Sequence, residues 1–130
     1  GYRFQYQEQS YVKIVDWISG KLNNGFAHAS FTPEGTRACE LFLDERYGFT
    51  RERPVEIGLF HSHPFGHEPY FSSIDYDTFL TFPYDQKGNV FILIDPISSF
   101  FKVFIIEYGN KSKKSLKQVD WICYSPNVDL

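Results

Sequence analysis

A chain of 130 residues, 42% apolar and 19% aromatic, is long enough to bury one core and too short for two. Its formal charge of −3 leaves no basic tract for nucleic acid beyond Lys111, Lys113, Lys114 and Lys117, which read as a solvated turn. Two cysteines without a C-x-x-C pair suggest reduced thiols in a cytoplasmic protein more than a disulfide framework, with a single Cys39–Cys123 bridge left open, and no apolar run approaches the ~20 residues of a membrane span.

The leading Gly1 and the absence of methionine point to a native start outside this sequence. Arg3 to Gln7 predicts a short strand with Phe4 and Tyr6 on one face. Tyr11, Ile14, Val15, Ile18 and Leu22 then recur at helical spacing, so a helix is expected from Ser10, as cap, to Leu22, stopped by Asn23-Asn24-Gly25. Phe26 to Thr32 reads as a strand, Pro33-Glu34-Gly35 as a turn, and Arg37 to Asp44 as the returning strand. After a polar loop, Val55 to His63 is a strong strand. Ser72 opens a second helix through Tyr76, Phe79 and Leu80, ended by Pro83 and Asp85. Asn89 to Asp95, Phe100 to Tyr108 and Gln118 to Tyr124 complete the strands. The order β-α-β-β-β-α-β-β-β describes a single α+β domain over residues 1–130, a sheet with helices against it.

One stretch carries chemistry. His61-Ser62-His63-Pro64 is followed by Ser72-Ser-Ile-Asp75, written H-x-H-P-x7-S-x-x-D. Residues two apart on a strand face the same way, so His61 and His63 project together where the strand ends. Asp75, in the first turn of the next helix, can reach the same point. Two imidazoles and a carboxylate are a set that holds catalytic zinc while leaving one position for water. Zinc in such a site acidifies that water and polarises a carbonyl, and a carboxylate base is usually needed nearby. H-x-H alone is weak, and Ser72-x-x-Asp75 alone is an ordinary capping box. The joint pattern of strand, loop and helix favours one metal ion. His28 and His67 have no such context; His28 reads as structural and His67 as a loop residue.

These residues resemble the JAMM/MPN+ (JAB domain) zinc metalloproteases, whose motif is H-x-H-x7–10-S-x-x-D with an upstream Glu. The gap here is eight residues, Gly58 precedes H-S-H-P, and Asp95-Pro96 closes a later strand. The similarity covers the chain from its first strand to Tyr108, and its compactness looks like prokaryotic members. The resemblance implies an MPN/JAB (cytidine-deaminase-like) three-layer fold with a mixed sheet flanked by helices. It implies one Zn2+ on His61, His63 and Asp75, with Ser72 stabilising the oxyanion. It implies isopeptidase or peptidase cleavage after the C-terminal Gly of ubiquitin or a ubiquitin-like protein, in the setting of bacterial conjugation or antiphage systems. Phe65, Tyr70 and Phe71 flank the motif, either packed over the helix start or walling a groove for the substrate tail.

The chain departs from the family at the catalytic Glu, whose place after the expected first helix falls near Ala27. A second alignment sets Lys13 to Gly20 against the family's E-x-x-G-x-L-x-G and puts Lys13 at the Glu position, at the cost of turning that helix into strand. Three explanations stand: a deliberate replacement of Glu by Ala at position 27, which intact ligands favour; a natural zinc-binding pseudoenzyme; or another carboxylate, Glu34 or Glu40, as base. Rival readings of the whole are a non-catalytic MPN-like scaffold and a JAB-like toxin or effector domain.

Overall fold

The computed structural model describes residues 1–18, 22–24, 29–31, 33–66, 77, 79–81 and 84–125. Strands β1 (Tyr2–Tyr6) and β2 (Gln9–Lys13) form an antiparallel hairpin. Strands β3 (Leu22–Asn24) and β4 (Ala29–Phe31) form a second antiparallel pair. Helix α1 (Pro33–Tyr47) follows. Strands β5 (Gly58–Ser62), β6 (Val90–Asp95), β7 (Phe100–Tyr108) and β8 (Lys114–Val119) make a mixed sheet in that order. β5 and β6 run parallel; the other neighbours are antiparallel.

The domain is α+β, as the element pattern predicts, but the described residues of the expected Ser10–Leu22 helix are not helical: Gln9 to Lys13 and Leu22 to Asn24 are strands, and 14–18 is irregular. Tyr11, Val12, Ile14, Val15 and Ile18 are aromatic or β-branched, poor helix formers that suit extended chain. Conversely, Arg37 to Asp44 belongs to α1 and is not a strand. Pro33, read as a turn, is the first helical residue, where its missing N–H costs nothing. Gly48, at φ +66°, ends α1 and donates its N–H to the Asp44 carbonyl at 3.0 Å. Arg53 braces the same end through Asp44, the Gly48 carbonyl at 3.3 Å and Glu40 at 3.4 Å. The strand expected at Gln118–Tyr124 lies earlier, over Lys114–Val119, paired with β7. Of the expected second helix, Asp77 and Phe79 are helical; its start falls outside the described residues.

β6 is the spine of the sheet, with Phe91 and Ile106 of β7 at 1% exposure and Leu93 and Asp95 at 0%. Alternation puts Leu59, His61, Phe91, Leu93, Phe104 and Ile106 on one face. There Phe79 stacks on Phe91 (centroids 4.2 Å, 21°), with Leu80, Tyr84 and Leu116 around them. Gly58, Phe60, Val90 and Ile92 occupy the other face. With Cys39, Phe42 and Leu43 of α1 they line a cavity of about 140 Å³. Gly58 is required by close approach: a Cβ there would lie 1.8 Å from the Val90 carbonyl oxygen. Asp16 ties the 14–18 segment to α1. It accepts from the Tyr47 hydroxyl (2.7 Å), the Trp17 N–H (2.9 Å) and Arg46 (2.9 Å).

Cys39 is buried, Cys123 is exposed, and both are free thiols. Among the described residues no helix is long and apolar enough to cross a membrane.

Candidate functional site

The sequence of β5 is apolar up to Phe60 and then delivers His61 at its carboxyl end. His63 lies one residue beyond the strand. Its N–H donates to the Ile94 carbonyl at 2.9 Å, which prolongs the β5–β6 ladder by one step. The two imidazoles therefore share a face, and their rings meet edge to face with centroids 4.7 Å apart and planes at 75°. His63 is 8% exposed and His61 is half-buried. Phe79 supports His61 from the core side (6.5 Å, 80°), and Phe65 lies against His63 (5.9 Å, 70°). The pair sits outside the carboxyl ends of two parallel strands, where open α/β sheets place ligands because side chains from adjacent strand ends converge there.

Asp95 occupies the matching end of β6. It is fully buried, and its Oδ1 accepts the N–H groups of Ile97 (2.8 Å) and Ser98 (3.3 Å), which fixes the loop beside His63. In the sequence, Asp95-Pro96 reads only as the close of a strand. An acid ending an otherwise apolar run was the available signal, because a buried carboxylate persists only when its oxygens are satisfied.

Asp75, Ser72, Tyr70 and Phe71 lie outside the described residues, as do Ala27, His28 and His67. Among the described residues no three His, Cys, Asp or Glu side chains group as a metal site. The structure thus brings together His61 and His63, with Phe65 beside them. Imidazole nitrogens are ordinary metal ligands, so His61 and His63 are the described residues that could hold an ion here, and the motif adds Asp75 as the third candidate.

The placement of the missing Glu at Ala27 rested on a helix ending at Leu22, and that premise fails with the helix. Residues 9–13 are strand, which removes the objection to the alignment that puts Lys13 at the Glu position. Lys13 ends β2 with its ammonium 5.3 Å from the centroid of the Tyr124 ring. Glu34 and Glu40 are on α1 and not on neighbouring strands. α1 lies across a shared cavity from the sheet face opposite His61, and Glu40 is exposed and paired with Arg53. Glu40 is therefore badly placed to serve as the base.

Several perturbed acidities lie on the α1 side. Burial pushes the Cys39 thiol up, helped by Glu56 and Glu40. Burial also raises the Glu56 carboxyl, with Glu40 adding repulsion. The Tyr47 hydroxyl holds Asp16 below its usual range, assisted by the Trp17 N–H and Arg46. These groups brace the scaffold on the far side of the sheet from the histidines.

No protein-family model and no curated protein matches the chain.

Proposed function

We propose that this chain is a zinc-binding domain of the JAMM type, a zinc-dependent isopeptidase or peptidase that acts after the C-terminal Gly of ubiquitin or a ubiquitin-like protein. The observation that carries the reading is the His61–His63 ring pair at the carboxyl end of β5. In this reading His61 and His63 hold the ion from the strand and Asp75 from the following helix. Zinc bound there supplies a polarised carbonyl and a water acidic enough to act near neutral pH. The Ser72 hydroxyl donates to the oxygen on which negative charge develops. Phe65, Tyr70 and Phe71 grip the extended tail and keep water from it. The Asp95-anchored loop keeps the floor beside His63 rigid.

A second reading, a zinc-binding scaffold without hydrolysis, is favoured by one observation. The strand at 9–13 suits the alignment that places Lys13 at the position of the family's Glu, where the chain then offers no carboxylate to accept the proton from water. Zinc titration followed by cleavage of a ubiquitin-like fusion separates the two. One zinc per chain is expected, lost in His61→Ala and His63→Ala. Hydrolysis by the chain as it stands, or by Lys13→Glu or Ala27→Glu, supports the peptidase. Zinc binding without hydrolysis in all three decides for the scaffold, and no zinc binding at micromolar metal overturns both.

A further inference from the structure

The β1–β2 hairpin stands apart from the sheet that carries the histidines. Its base is anchored: the Tyr2 hydroxyl donates to the Glu52 carbonyl (2.6 Å), and Arg3 reaches the Gly88 carbonyl (3.2 Å) and Asn89. The rest is uncovered, with Phe4 47%, Tyr6 62% and Tyr11 39% exposed. All three lie on one face, and Phe4 stacks on its cross-strand partner Tyr11 (5.3 Å, 14°). Among the described residues each strand pairs only with the other. An isolated two-stranded ribbon is marginal in water, and an open edge templates further pairing unless charge, proline or a bulge blocks it. The middle of β2, Ser10-Tyr11-Val12, has none of these.

We propose that β2 pairs antiparallel with β2 of a second copy of this chain, about a two-fold axis through Tyr11. The hairpin alternation fixes which backbone groups of β2 face outward. Gln7 and Glu8 both have positive φ (49° and 64°), the two-residue turn that closes on a hydrogen-bonded pair, here Tyr6 and Gln9. Pairs alternate from there, so Phe4–Tyr11 and Tyr2–Lys13 are also hydrogen-bonded, and the N–H and C=O groups of Ser10 and Val12 point outward. Pairing about Tyr11 joins Ser10 of each copy to Val12 of the other through four backbone hydrogen bonds.

The same register sets Tyr11 against Tyr11, so the Phe4–Tyr11 stack continues as a four-ring ladder across four strands. Lys13 meets Gln9 of the other copy, with Glu8 next to it in the turn. The strands carry only two charges, Arg3 and Lys13, and neither opposes a like charge. Of the three aromatics only Tyr11 lies on the pairing strand, so the contact falls short of the ~1,200 Å² of a standard interface and the dimer is weak. This association is independent of the zinc reading.

Sedimentation equilibrium from 10 µM to 1 mM tests it on the full chain, with three variants. Val12→Pro removes only an outward N–H and leaves the pairing with β1 intact; Tyr11→Lys sets two ammonium groups face to face. Each is expected to raise Kd at least tenfold while circular dichroism and the melting temperature stay near those of the parent. Tyr11→Cys in a Cys123→Ser background is expected to cross-link on mild oxidation, because directly opposed residues in a non-hydrogen-bonded pair have Cα atoms about 4.5 Å apart. A parent chain monomeric at 1 mM overturns the proposal. So does dimerisation unchanged by both Val12→Pro and Tyr11→Lys, which would place the contact on another surface.

Discussion

Truncating Phe79 to alanine tests how the core supports the histidine pair. Phe79 is 5% exposed, lies 4.2 Å from Phe91 in a near-parallel stack, and meets His61 edge-on. Burying a phenylalanine side chain contributes about 1.5–3 kcal/mol, and an aromatic pair adds about 0.5–1.5 kcal/mol. With the residual cavity, Phe79→Ala should cost about 3–5 kcal/mol, a large part of the 5–15 kcal/mol that holds a typical domain. Phe79→Leu keeps most of the volume and should cost about 1–2 kcal/mol. Urea denaturation with an unchanged m-value measures both. A double-mutant cycle with Phe91→Leu should return a coupling of about 0.5–1.5 kcal/mol. A loss below about 1 kcal/mol for Phe79→Ala would refute the packing of Phe79 between Phe91 and His61.

Gly58→Ala drives a Cβ into the Val90 carbonyl, a backbone atom that cannot swing aside, and should cost about 3 kcal/mol or more by the same assay. Gln7→Asn with Glu8→Gly relieves two side chains held at positive φ and should stabilise by about 1 kcal/mol, or roughly 3–5 °C in melting temperature. Asp16 is more acidic in the folded chain than its unfolded value of about 3.9, so its stabilising effect is complete above that value and is lost as pH falls through the lower folded one. Asp16→Asn should therefore melt lower than the parent at pH 7, with the gap closing below about pH 4; a gap that is constant from pH 7 to pH 2 would show that the Tyr47 and Arg46 contacts contribute no charge-dependent stability.

The strands that build the mixed sheet were legible where the chain is apolar on both faces. Val90 to Asp95 and Phe100 to Tyr108 read as strands because β6 is covered on both faces and β7 buries Val103 on one face and Ile106 on the other, so neither needs strict polar alternation. The α+β class followed from the same runs. Residues 10–13, expected as helix, are strand, and residues 37–44, expected as strand, are helix, because short apolar stretches satisfy both periods. Ile14, Val15 and Ile18 fit 3.6 as well as an extended chain, while Arg37 to Asp44 alternates plausibly although it is the middle of α1. The deciding information was non-local: Cys39, Phe42 and Leu43 turn one helix stripe toward Gly58, Val90 and Ile92, an arrangement no window of sequence contains.

For the candidate site, the H-x-H spacing determined by itself that two imidazoles share one side of a strand, since side-chain alternation is a property of extended backbone. Tertiary structure alone decided how close the rings come, that Phe79 and Phe65 wedge them, and that the buried Asp95 ends the parallel neighbour. Those facts depend on the parallel register of β5 with β6. Register is set by pairing between segments some 30 residues apart, which local patterning does not encode.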